Sequence, residues 1–176
     1  MSTIAQSENL ILRQFTHTDD AFIYDLLNTP TWQEFIGNFQ INELADALAY
    51  INNVPLTYYT KHGFGPWLVA LKTGEPIGMC GLFKRDYLDQ PDLGFAFLPG
   101  YAGKGLAYES CLAVLDYAVK HFNLTTLYAT TSQNNLRSQN LLKRCGFGFE
   151  GEITVNDMGR LSLYKLSLQK NNAAVI

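Results

Sequence analysis

Apolar residues fall into short runs whose period changes along the chain. Leu10, Leu12 and Phe15 frame a short first strand. Thr18 or Asp19 then caps a helix carrying Phe22, Ile23, Leu26 and Leu27, which ends before Pro30. Asn42 is placed to cap a second helix, with Leu44, Ala47, Leu48 and Ile51 at i, i+3, i+4 and i+7. Pro55 should break or kink it, and Gly63 closes the following turn. From there the period shortens. Trp67 to Leu71 and Ile77 to Phe83 flank Lys72-Thr73-Gly74-Glu75 as a hairpin, and Asp92 to Leu98 alternates as a third strand of that sheet.

Beyond Pro99 a glycine-rich turn leads into a long helix from about Gly105 to Phe122. Ala107, Cys111, Val114, Ala118 and Phe122 form one apolar stripe, and Tyr108, Leu112, Leu115 and Val119 a second, which predicts a central helix. Leu124 to Thr131 reads as a strand and Asn135 to Cys145 as a helix stopped by Gly146. Phe147 to Ile153 and Leu161 to Leu168 read as the last strands, around a turn at Asn156-Asp157-Met158-Gly159. The order predicts one mixed α/β domain over residues 1–176, built on a single, mainly antiparallel sheet.

Composition narrows the classes of function. The chain has 176 residues, 47% of them hydrophobic and 16% charged, which fits a filled core better than disorder. A net charge of −3 supplies no basic field for a polyanion, so no nucleic-acid partner is expected. Met1 to Asn9 lack an apolar signal core, and no apolar run reaches the length of about 18 residues that a membrane span needs. Cys80, Cys111 and Cys145 form no CxxC pair and read as small buried hydrophobes in a reducing compartment. A cytoplasmic protein without a membrane partner is expected.

Chemistry concentrates in two places. In Leu98-Pro99-Gly100-Tyr101-Ala102-Gly103-Lys104-Gly105-Leu106-Ala107, small residues let backbone approach a ligand at the start of the long helix. The first amides of that helix lack intrahelical acceptors, and its dipole favours a phosphate there, with Lys104 adding charge. A P-loop is ruled out because Gly105 follows Lys104 where Ser or Thr is required. A Rossmann fingerprint is ruled out because Tyr108 stands at its third glycine. The turn by itself leaves phosphate binding and tight helix packing equally open. In the second place, Asn135 and Ser138 lie three apart on one helix face, while Leu141, Leu142 and Cys145 supply the buried side.

Together these two stretches resemble the GNAT family of acetyl-CoA-dependent N-acetyltransferases, and within it the branch that acetylates the N-termini of ribosomal proteins. The glycine turn is similar to that family's pyrophosphate loop, Gln/Arg-x-x-Gly-x-Gly/Ala. Gly105 and Ala107 match it, and Ala102 replaces the leading side-chain donor. Asn135-x-x-Ser138 with Lys143 and Gly146-Phe147 is similar to the second CoA-contacting helix. Leu10-Ile11-Leu12-Arg13 and the strand from Ile77-Gly78 to Gly81-Leu82 also look like this branch. The motif core spans about 92–150.

The resemblance implies a GNAT acyl-CoA N-acyltransferase fold in which the strand before the glycine loop splays from the next. It implies acetyl-CoA held by Phe95, Phe97, Leu98, Gly103, Lys104, Gly105, Leu106, Ala107, Asn135 and Ser138, with no metal. Direct attack by an amine in a ternary complex follows, with catalysis resting on proximity. Ser138 is the candidate general acid; Asp157 and Asp92 are the candidate bases. The acceptor is an amine, either a peptide N-terminus or a small molecule such as an amino acid, polyamine or aminoglycoside. A monomer or weak homodimer is expected, because edges of a mixed sheet are common dimerisation sites in this family.

Rival readings accompany individual residues. A catalytically silent acyl-CoA-binding or regulatory module would carry the same CoA motifs. Glu109 in the first helical turn reads as stabilising the dipole. Cys145 beside Lys143 and Arg144 could be an activated thiol, but no partner is placed for it, and His17, His62 and His121 lack metal-ligand spacing. Trp32, Phe35, Phe39, Tyr58, Tyr59 and Phe64 are core residues or walls of an acceptor pocket.

Overall fold

The computed structural model describes residues 2–168. Eight strands form one sheet in the order β1-β2-β3-β4-β5-β6-β8-β7. They are β1 (Thr3–Gln6), β2 (Leu10–Arg13), β3 (Pro66–Leu71), β4 (Pro76–Phe83), β5 (Asp92–Phe97), β6 (Thr126–Ser132), β7 (Gly148–Val155) and β8 (Gly159–Ser167). Every neighbouring pair is antiparallel except β5 and β6, which run parallel. The hairpin, the third strand, the long helix and the final strand pair lie where the alternation and period place them.

Helices cover both faces. On one face lie α1 (Asp20–Leu27), α2 (Pro30–Phe35) and α3 (Leu44–Ile51), while α4 (Thr57–His62) leads from them to β3 and turns Tyr59 to the opposite core. Apolar side chains of the first three, including Ile23, Leu26, Trp32 and Ile51, pack on Leu68, Ala70 and Met79 of the sheet. On the other face, α5 (Leu106–Phe122) and α6 (Leu136–Arg144) bury Cys111, Val114, Ala118 and Leu142 against Trp67, Ile77, Cys80 and Leu127. Alternation along β3 and β4 sends Leu68 and Met79 to one core, Trp67 and Cys80 to the other. Cys111, Val114, Leu115 and Ala118 of α5 are buried while Ala107, Tyr108, Leu112, Val119 and Phe122 are half-buried, so the helix covers the sheet rather than running through a core.

Local differences from these expectations have physical causes. β1 falls in the polar stretch 3–6, where alternation is too weak to signal a strand, and pairs with β2 at the sheet edge. α2 follows Thr29, whose hydroxyl accepts from the Trp32 amide at 3.2 Å, with Pro30 at the first helical position. Pro55 does not break the chain out of helix. Residues Asn52–Leu56 widen into a π-turn joining α3 to α4, and the Thr57 hydroxyl takes up the Asn52 carbonyl at 2.9 Å. Phe15 lies just past β2, and the capping residue of α3 is Glu43 rather than Asn42.

Glu109 acts through its side chain as well as its charge. It accepts from the Asn9 amide at 2.7 Å and from Asn9 Nδ2 at 3.0 Å, tying the β1–β2 turn to the first turn of α5.

Candidate active site

The parallel junction sets the site. Asp92 and Tyr128 form the one register pair between β5 and β6 among the described residues; beyond it the two strands separate. On its other edge β5 is paired with β4 throughout, Phe83 with Asp92 at one end and Gly78 with Phe97 at the other. The Leu98 amide donates to the Ile77 carbonyl at 2.9 Å, which makes Gly78–Phe97 a non-hydrogen-bonded pair. By alternation, the N–H and C=O groups of Phe95 and Phe97 therefore turn away from β4 and towards the opening beside β6. Leu98 differs from the expectation. Its amide is held by Ile77 and its carbonyl accepts from Tyr101 at 3.0 Å, so neither group is free for a ligand.

The opening runs into a cleft of about 1120 Å³. Phe95, Phe97, Gly103, Gly105, Ala107, Asn135, Ser138 and Asp92 line it, so most of the residues picked out by motif converge on one space.

At one end stands the glycine turn. Gly103 and Gly105 both adopt left-handed backbone, with φ of 76° and 79°, which brings the chain to the start of α5. A Cβ on either would meet nothing within 4 Å; their conformation demands glycine, and the space before them is open. The first helical bond into this turn runs from the Glu109 amide to the Gly105 carbonyl at 3.0 Å. The amides of Leu106, Ala107 and Tyr108 have no backbone acceptor and sit at the positive end of a 17-residue helix. Leu106 contributes only that backbone, its side chain being in the core. Lys104 is exposed, with its ammonium 5.2 Å from the centre of the Tyr101 ring, and lies outside the cleft lining.

α6 forms the wall beside the turn. Asn135 Oδ1 caps this helix by accepting from the Ser138 amide at 3.1 Å, which leaves the Asn135 amide nitrogen available. Gln139 fixes the helix to the end of β6 through the Ser132 and Gln133 carbonyls, at 3.3 and 2.8 Å. Arg144 stacks over Tyr108 of α5, 4.4 Å from its centre, and both line the cleft.

The two candidate bases stand in different surroundings. Asp92 is 2% exposed, and burial pushes its carboxyl up to about 6 although Arg85 Nε donates to it at 3.3 Å. Asp157 is exposed in the β7–β8 turn and does not line the cleft, whereas its neighbour Met158 does. Cys145 packs in the core with Cys80 and Cys111 and stays outside the cleft lining. His17 bonds Asn52, while His62 and His121 stack on Phe64 and Tyr117.

Across the sheet, Trp32, Phe35, Phe39 and Tyr58 form an aromatic wall of the cleft, whereas Tyr59 and Phe64 pack into the core under α5. Sequence reasoning missed Arg85, Tyr87 and Tyr50 on this wall and Tyr108 and Arg144 at the glycine turn. Arg85 sits in Lys84-Arg85-Asp86-Tyr87, which reads as an ordinary solvated turn; only its place in the cleft and its bond to Asp92 distinguish it.

Comparison with known proteins agrees with this geometry. Residues 9–148 match the family model of the acetyltransferase (GNAT) domain. An uncharacterized N-acetyltransferase, YnaD of Bacillus subtilis, is 27% identical over 146 residues, covering 82% of each chain. The solved structure of RimL, a ribosomal L7/L12 alpha-N-protein acetyltransferase, superposes with a TM-score of 0.81 at 14% identity, covering 95% of this chain and 94% of that one. The structure of AAC(6')-Ib with paromomycin and acetyl-CoA superposes with a TM-score of 0.78 at 21% identity, covering 95% and 98%. A family match over most of its length, on a sheet parted at β5 and β6, makes this chain a member of the GNAT acetyltransferase family.

Proposed function

We propose that the protein moves the acetyl group of acetyl-CoA to a primary amine by direct attack within the cleft. The observation that carries this reading is the parting of β5 from β6 after Asp92, with unpaired Phe95 and Phe97 backbone opening towards the amides that begin α5. Those residues fit acetyl-CoA in both of its recognisable parts. The Gly103–Gly105 turn and the free amides of α5 suit a pyrophosphate, and an exposed run of strand backbone suits the amides of a pantetheine arm.

Residues of this chain then supply positioning and proton transfer. Held beside the amine, the thioester gains mainly from proximity. The neutral amine nitrogen bonds to the acetyl carbon, its surplus proton passes to Asp92, and the carbon–sulfur bond breaks. Ser138, on the wall shared with Asn135, protonates the departing thiolate and is itself reprotonated from water. Asp92 suits the base role better than Asp157 because it lines the cleft and is raised to about 6, where it is ionised at neutral pH yet basic enough to take a proton.

Purified protein incubated with acetyl-CoA and a panel of amines should release free CoA only when an acceptor is present, with a matching acetylated amine. A protein that binds acetyl-CoA and never turns it over would instead be a silent binding module.

A further inference from the structure

Residues 84–91, between β4 and β5, form a fastened loop whose Arg85 and Tyr87 line the cleft. Lys84 Nζ donates to the carbonyls of Leu88 and Asp89 at 2.9 and 3.1 Å. The Tyr58 hydroxyl donates to the Lys84 carbonyl at 3.1 Å, and the Leu88 amide to the Arg85 carbonyl at 3.1 Å. Arg85 is thereby held at its backbone, and its side chain is held as well. The guanidinium carbon lies 4.5 Å from the centre of the Phe83 ring, and Nε donates to Asp92 at 3.3 Å.

What remains unused is the far edge of the guanidinium. Among the described residues neither terminal nitrogen of Arg85 has a hydrogen-bond partner, and the residue lines the cleft. A guanidinium fixed by its face and its Nε presents two parallel donors, the arrangement that matches a carboxylate.

The surrounding wall is apolar and aromatic. Trp32, Phe39 and Tyr50 meet edge to face with centroids 5.9–6.4 Å apart, and Phe35, Phe83 and Tyr87 extend the surface. Trp32 Nε1 is buried without a partner. Two acids line the cleft here, Glu34 exposed on α2 and Asp92 already facing Arg85, while Asp86 and Asp89 of the loop are exposed and lie outside the lining. A polyamine or aminoglycoside, with several ammonium groups, needs more carboxylates than this end offers and would meet an arginine instead.

Resting on the acetyl-transfer reading above, we propose that the acceptor is a free α-amino acid with a large apolar side chain, its carboxylate on Arg85 and its side chain against the Trp32–Phe39–Tyr50 cluster. Adjacent Arg85 and Asp92 suit adjacent carboxylate and amine. The α-amine attacks the acetyl carbon, one proton goes to Asp92, and the products are the N-acetyl amino acid and CoA thiol.

The test measures CoA release with L-phenylalanine, L-phenylalanine amide, spermidine and a short N-terminal peptide. Removing the carboxylate forfeits charge-assisted bonds to Arg85, so kcat/KM for L-phenylalanine should exceed that for the amide by at least about 10-fold. Arg85→Gln should shrink that ratio to about threefold or less while acetyl-CoA binding by calorimetry persists. Should Arg85→Gln fail to fold, Arg85→Lys and the wild-type acid-to-amide ratio still decide. The proposal is overturned if the amide, spermidine or the peptide is the better acceptor, or if the ratio survives in Arg85→Gln; acetyl transfer itself then stands. Transfer to none of the four amines overturns this proposal, and an equally inert wider panel overturns the transferase reading too.

Discussion

Asp92 pairs with Tyr128, and no later residue of β5 pairs with β6. That single bridge joins the two halves of the sheet and marks where they part. One residue past the bridge on β5, backbone groups alternate between β4 and an open gap, so one strand both continues the sheet and presents a ligand-facing edge.

The glycine turn gives the first prediction. Gly105 has a φ of 79° and no neighbour where its Cβ would lie, so Gly105→Val is strained in backbone and not in packing. Acetyl-CoA at 100 times its dissociation constant should stabilise the wild-type fold by about 2.7 kcal/mol. The variant should lose that stabilisation while retaining wild-type secondary structure by circular dichroism; a full ligand-induced shift in Gly105→Val would show that the turn does not hold the phosphates.

Ser138 gives the second. Its amide, not its hydroxyl, is what Asn135 caps, so Ser138→Ala leaves α6 fastened. An acid acting on the leaving group affects turnover more than binding. kcat should fall roughly 10- to 100-fold with acetyl-CoA affinity nearly unchanged. Wild-type kcat in the variant would reduce Ser138 to a helix-face residue.

Much of this was legible in the sequence, for reasons that can be traced to individual residues. Gly105 and Asn135 are readable because a left-handed residue before a helix and a side-chain cap demand particular residue types, whereas Ala107 and Ser138 are readable only from their spacing to these two in a family motif. Long periodic segments such as 106–122 are readable because burial repeats every turn. Arg85 and Asp92 are harder to read, since a charged loop and a strand-opening acid look the same whether solvated or turned into a cleft; only the tertiary contacts that seat Arg85 on Phe83 and against Asp92 decide. Leu98 is out of phase with Phe95 and Phe97 because hydrogen-bond direction alternates along a strand, and that phase is set by the partner strand β4 and not by residue type. At Pro55 the expected break or kink takes the form of a π-turn between α3 and α4, which absorbs the missing donor.

Asp92 supplies a pH dependence. Burial raises its folded-state carboxyl to about 6, above the unfolded value near 3.9. If it is the base, kcat/KM should rise with pH through about 6, and Asp92→Asn should abolish that limb. The sign of the stability effect is opposite: a raised pKa contributes stability below about pH 4 that is lost as pH rises through 6. The melting temperature of wild type relative to Asp92→Asn should therefore fall across that window. A flat difference would mean that Asp92 is not raised.

Arg13 and Asp19 provide a structural control remote from the chemistry. Their paired bonds of 2.8 and 2.7 Å join β2 to the start of α1, with exposures of 13% and 7%. Asp19 also accepts from the Thr16 amide at 2.8 Å. Asp19→Ala strands a largely buried guanidinium and should cost about 3 kcal/mol in denaturant unfolding. Acetyl-CoA affinity of the folded fraction should not change; an equal loss of affinity would connect this pair to the cleft.

Direct transfer within a ternary complex leaves the protein itself unmodified, which a single-turnover experiment read by mass spectrometry detects. Protein in excess over acetyl-CoA is mixed with the acceptor amine, and both protein and amine are weighed at successive times. In direct transfer the acetyl group appears on the amine while the protein mass never changes. An acetylated protein that forms before the product, on Cys145 or elsewhere, would contradict it, as would loss of acetyl-CoA with no acetylated amine.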